Sequence, residues 1–158
     1  MSIVGKGCTG AFSARDSANN YYYVTAAHCG ELNSNVTQGG SSIGLVDRRN
    51  YGGTSDALAV RISSSNASAG LYNFTPFTYK QSASEDMVGE LVCHSGIESG
   101  VQCGQITNNN YATGGFGVYQ EKLRIASFSA KEGDSGGPVY YGDRNIGTNV
   151  LKVFFARE

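Results

Sequence analysis

The chain has 158 residues, 16% of them charged, with a formal net charge of −1, 22 glycines, 10 tyrosines and two prolines. Such a length holds one domain or two small barrels sharing an interface, and the polar, uncharged, aromatic-rich balance is common in secreted β proteins. With Arg48-Arg49 as the only basic doublet, the composition argues against nucleic acid as a partner, and no apolar run approaches the ~18 residues of a membrane helix.

Met1 to Gly7 lacks the apolar segment of a secretory leader, so the expectation is that the chain starts after a targeting segment or comes from an incomplete gene model. Tyr21-Tyr22-Tyr23-Val24-Thr25 is aromatic and β-branched and predicts a strand; residues 57–62 and 88–93 alternate small apolar and polar positions and predict two more. Gly39-Gly40, Gly52-Gly53, Asn108-Asn109-Asn110, Gly114-Gly115 and Gly142-Asp143 punctuate these segments at intervals that suit hairpins. No amphipathic helix of about ten residues is legible, so the prediction is an all-β barrel or sandwich. Ser63 to Gly70 is small, polar and aperiodic, a candidate connection between two barrels. Asn35-Val36-Thr37, Asn66-Ala67-Ser68 and Asn73-Phe74-Thr75 match the glycosylation tripeptide, which also arises by chance.

Four cysteines, Cys8, Cys29, Cys93 and Cys103, lack the close pairing of a zinc knuckle or redox motif. Disulfides are the better reading, three connectivities are open, and such bonds imply an oxidising compartment; four buried free thiols are the alternative. No metal site or cofactor is expected.

Two motifs carry chemistry. Gly133-Asp134-Ser135-Gly136-Gly137-Pro138 places a serine on a glycine-rich turn, and Thr25-Ala26-Ala27-His28-Cys29 supplies an imidazole upstream. A serine hydroxyl is a weak nucleophile until a neighbouring base takes its proton, and glycines let backbone N–H groups approach a reacting carbonyl. Taken alone, the serine run could be an ordinary surface turn. Of the two histidines, His94 is read as a polar surface residue, leaving His28 as base. Asp56 precedes an apolar strand that would carry it inward toward that imidazole, whereas Asp47 abuts Arg48-Arg49 and reads as a surface ion pair.

These motifs, in the order His28, Asp56-Ala57-Leu58-Ala59-Val60, Ser135, resemble chymotrypsin-like serine proteases, and more closely the short streptogrisin and α-lytic protease branch. Other serine-hydrolase families order the three residues differently. The resemblance spans roughly residues 3 to 147. It implies two Greek-key β-barrels of the trypsin-like type, an N-terminal one over 1–65 and a C-terminal one over 71–158, joined by 66–70 with the active site between them. It further implies disulfides Cys8-Cys29 and Cys93-Cys103, an oxyanion hole from the amides of Gly133 and Ser135, and a substrate pocket near Ser129 and Glu132. A serine at 129, where trypsin-like members carry an aspartate, gives no reason to expect Arg or Lys preference.

The sequence departs from that family at both ends. Few residues separate Ile3-Val4-Gly5 from Cys8, and Val150-Leu151-Lys152 stands where a pocket-wall strand is normally found, so the C-terminal barrel is expected to be incomplete with exposed strand edges. The function implied is a secreted, monomeric serine endopeptidase acting on protein or peptide substrates through an acyl-enzyme. Proteinaceous inhibitors are possible partners; nucleic acid and membrane are not expected. The alternative is a catalytically impaired homologue serving as a protein- or glycan-binding module.

Overall fold

In this computed structural model the described residues are 2–3, 6–68, 79–115, 117–142, 144–150 and 153–156. The end of the expected connection at 69–70, the Asn73 tripeptide, Asp143 and Leu151-Lys152 lie outside them. Strands dominate; the helical pieces among the described residues are three single 3₁₀ turns.

The first sheet is drawn from residues before 63: β1 Ser2–Ile3, β2 Lys6–Gly7, β3 Phe12–Arg15, β4 Tyr21–Thr25, β5 Asn35–Gln38, β6 Ser41–Gly52 and β7 Ser55–Ile62, in the order β2-β1-β5-β6-β7-β4-β3. The second comes from residues after 78: β8 Tyr79–Lys80, β9 Leu91–Gly96, β10 Gly100–Thr113, β11 Gln120–Ala126, β12 Pro138–Tyr141, β13 Arg144–Val150 and β14 Val153–Ala156, in the order β12-β9-β10-β11-β14-β13-β8. β12 also pairs with β13, so six of these strands close into a ring. Where the sequence suggests open edges near the C-terminus, β14 lies between β11 and β13 and bonds to both. Closure removes the unpaired edge that would otherwise invite association.

Period-two alternation fixes which side chains enter each core. In β7 the buried positions are Asp56, Leu58, Val60 and Ile62, so one carboxylate shares the inner face with three aliphatics. Those aliphatics pack with Val36, Val46 and the Cys8-Cys29 disulfide; Val92, Ile106, Ala126, Phe128 and Val139 form a separate core in the second sheet. Near that second core Arg124 Nε donates to buried Asp86 at 2.8 Å, and Gln81 Nε2 donates to the other Asp86 oxygen and to Glu90.

The predicted strand at 21–25 coincides with β4 and that at 57–62 lies within β7, while that at 88–93 starts three residues before β9. Asn108-Asn109-Asn110, read as a turn, lies inside β10. Register shifts at Asn108 and Tyr111 absorb the irregularity there, and Asn108 Oδ1 accepts the Asn110 amide at 2.8 Å. Polar turn-forming residues are thus accommodated as bulges in a long strand.

The Cys8-Cys29 bond closes a loop of 21 residues in sequence separation. Replacing both cysteines by alanine is expected to lower unfolding free energy by roughly 3 kcal/mol on the chain-entropy account, measured by guanidinium titration; a change below about 1 kcal/mol would contradict that account.

Candidate active site

β4 delivers its last residue, Thr25, into the interior, and Ala27–Cys29 follow as a 3₁₀ turn. Three attachments hold that turn. Cys29 is bonded to Cys8, the Thr25 hydroxyl donates to the Thr9 carbonyl at 2.8 Å, and Arg49 Nε donates to the Ala27 carbonyl at 3.0 Å. His28 therefore sits on a braced segment, with its side chain 29% exposed, while the Asp56 side chain is fully buried.

Asp56 receives His28 twice: the His28 backbone N–H donates to Oδ1 at 3.0 Å, and Nδ1 lies 2.7 Å from Oδ2. A carboxylate accepts only, so Nδ1 carries the proton and Nε2 presents its lone pair. This is the tautomer a general base would need, and the buried carboxylate lies where it could stabilise an imidazolium. Asp47 is exposed and lies 3.3 Å from Arg48, the surface ion pair expected of it.

The serine turn is held by a different set of contacts. Asp134 is fully buried; its Oδ1 accepts the amides of Glu98 at 2.9 Å and Ser99 at 3.1 Å, and its Oδ2 accepts the Lys131 amide at 2.8 Å. Burial acts to raise its pKa, but the Ser99 hydroxyl and these three amides outweigh that and hold the carboxyl below the usual carboxylate value. Gly133 and Gly136 have φ of 99° and 87°, conformations that an L side chain rarely adopts. A Cβ at Gly136 would collide with the Thr25 hydroxyl, the Thr9 carbonyl and the Ala26 nitrogen, so the residue after Ser135 lies directly against the end of the histidine strand.

Thr9 joins the two halves of the site. Its amide donates to the Ser135 carbonyl at 2.9 Å, its hydroxyl donates to the Gly133 carbonyl at 2.8 Å and accepts the Ile97 amide at 3.0 Å, and its own carbonyl accepts Thr25. Ser135 is 8% exposed. Among the described residues its amide and that of Gly133 make no hydrogen bond, which leaves two backbone donors unengaged beside the serine.

The structure thus hydrogen-bonds His28 to Asp56 and brings Ser135 against the same strand end through Gly136 and Thr9. No hydrogen bond joins the Ser135 hydroxyl to His28; such contacts are often long in ligand-free sites. Ser129 and Glu132 are exposed on the loop leading to Gly133. Both expected disulfides are present. His94, read from sequence as a polar surface residue, is fully buried, because β9 alternation points it inward beside Val92. Thr9, Arg49 and Ser99 were not legible as site residues: their contacts lie far away in sequence and no motif marks them. A cavity of about 800 Å³ lined by Thr9, Phe12, Tyr23, Ile62, Ser95 and Ile97 bridges the two sheets, and none of His28, Asp56 or Ser135 lines it.

The sequence model of the trypsin family, described as "Trypsin", matches residues 2–154. The chain is 29% identical over 150 residues to Serine protease 2 of Streptomyces fradiae, covering 90% of this chain and 85% of that one. It is 31% identical over 149 residues to Glutamyl endopeptidase 2 of Streptomyces griseus, covering 90% and 77%. Among solved structures it resembles Thermobifida fusca protease A, with 28% identity, a TM-score of 0.77, and coverage of 94% of this chain and 83% of that chain.

Because the folded pKa of Asp134 is depressed, its contribution to stability is fully present above the ordinary carboxylate value of 3.8 and is lost as pH falls through the folded value. Asp16, also depressed, to about 2 by Asn20, responds in the same direction. The distinguishing experiment is therefore a difference: unfolding free energy of wild type minus Asp134→Asn should shrink as pH falls below 3.8. A difference that stays constant from neutral pH into that range would contradict the assignment.

Proposed function

The chain belongs to the trypsin family, and from that premise we propose that it is a serine endopeptidase whose catalytic residues are Ser135, His28 and Asp56. The observation carrying this reading is the pairing of His28 Nδ1 with fully buried Asp56 on a strand end against which the Ser135 turn is packed.

In the proposed reaction, Ser135 Oγ attacks the carbonyl carbon of the scissile peptide as its proton passes to His28 Nε2. Asp56 stabilises the resulting imidazolium through the Nδ1–H hydrogen bond. The carbonyl oxygen becomes an oxyanion and accepts the unengaged amides of Gly133 and Ser135, a type of donation worth about 3 to 4 kcal/mol per donor in acyl-transfer enzymes. Collapse of this intermediate breaks the C–N bond as His28 gives its proton to the leaving amine. Water then attacks the acyl-enzyme with His28 again as base, releasing the carboxylic product and restoring the serine.

Protein or peptide substrates follow from the family. Two disulfides favour an oxidising compartment, so we place the enzyme outside the cytosol. Ser129 is exposed and uncharged, so position 129 supplies no anion for an Arg or Lys side chain.

Purified protein should hydrolyse unfolded casein or a peptide library, and Ser135→Ala should abolish that activity. Asp56→Asn should lower kcat by about four orders of magnitude, by analogy with the same change in a chymotrypsin-type triad. Hydrolysis unaffected by Ser135→Ala would overturn the assignment; a folded wild type without activity would favour a binding role.

A further inference from the structure

His94 takes no part in the steps above, yet it is fully buried. It occupies an inward position of β9, and its ring centroid lies 4.6 Å from that of Phe128. Nε2 is 2.7 Å from the Ser129 carbonyl oxygen. A carbonyl can only accept, so Nε2 carries the hydrogen and Nδ1 is left as a buried acceptor; no partner meets it among the described residues. Leaving a buried polar atom unpaired is costly, so packing against Phe128 alone would be better served by an aliphatic or aromatic side chain. What accounts for an imidazole is the donation from Nε2.

That donation reaches one end of the nucleophile's loop, and Ser99, against the same ring nitrogen, reaches the other. The Ser129 carbonyl lies near the start of the segment leading from β11 to Ser135. The same Nε2 lies 3.4 Å from Ser99 Oγ, and the Ser99 amide donates to the Asp134 carboxyl, one residue before Ser135, at 3.1 Å. We propose that His94 is a positioning residue for the Ser135 turn, acting through the Ser129 carbonyl and through Ser99 on Asp134, a role that rests on the function proposed above for Ser135. The ring ties the two ends of the loop together from beneath, so the Gly133 and Ser135 amides are held in place before substrate arrives.

The test compares His94→Leu, which fills the space without a donor, with His94→Gln, whose carboxamide N–H can still reach the Ser129 carbonyl. Backbone hydrogen exchange should accelerate at least about tenfold at the Asp134 and Gly137 amides in His94→Leu, with β7 amides such as Leu58 and Val60 unchanged, and His94→Gln should restore most of the protection. The kcat for peptide hydrolysis should follow the same order while KM changes less. Unchanged exchange at Asp134 and Gly137 in a folded His94→Leu, or no rescue by glutamine, would overturn the proposal. Should His94→Leu fail to fold, the wild-type imidazole decides: a slowly exchanging Nε2 proton in NMR is expected, and an Nδ1–H tautomer would overturn it. If the variants show the exchange pattern but the wild type hydrolyses nothing, the positioning role is supported and only the protease reading is overturned.

Discussion

Thr9 is the seam on which the site depends. Each sheet has its own core, and each builds one part of the candidate chemistry: the first holds His28 against Asp56, and the second shapes the turn of Ser135. Thr9 binds both, through Thr25 on one side and the carbonyls of Gly133 and Ser135 on the other. A net contribution of about 1 kcal/mol per bond makes this a modest stabiliser. Its importance is positional, because an error of about 1 Å between nucleophile and base can cost two orders of magnitude in rate. The Cys8-Cys29 disulfide, one residue away, limits how far Thr9 can drift from the histidine turn.

The serine turn is otherwise self-contained. Asp134 has its carboxylate satisfied by Lys131, Glu98 and Ser99, all within the second half of the chain. The histidine side is likewise local, since Asp56 is directed inward by its own strand and Arg49 supports Ala27 from β6. Two locally determined halves meeting at one seam is an economical way to build a cleft, because neither half has to deform the other's core.

What was legible in the sequence follows from this division. His28, Asp56 and Ser135 stand in short motifs whose residue types are dictated by chemistry, and β7 reveals its inward carboxylate through simple alternation. The disulfide partners followed from resemblance and not from spacing. Less visible were residues whose role comes from long-range contact. Thr9 meets Gly133 across 124 positions, and nothing in a Cys-Thr-Gly context announces it. His94 was misread because a histidine in a disulfide loop looks polar, whereas its strand phase, shared with Val92, was the signal that could have corrected it. The asparagine run in β10 runs against propensity, which suggests a turn, because pairing with β11 through register shifts keeps it extended. Likewise, ring closure by β14 depends on pairing with a strand nearly thirty residues away, which local pattern does not encode.

The central claim is that a base and a nucleophile from different sheets act on one substrate carbonyl. The most direct test is to treat the protein with a fluorophosphonate and locate the adduct by mass spectrometry, in wild type and in His28→Ala. The account predicts near-stoichiometric modification confined to Ser135 and its loss without His28. Modification elsewhere, or equal modification of Ser135 in His28→Ala, would contradict it.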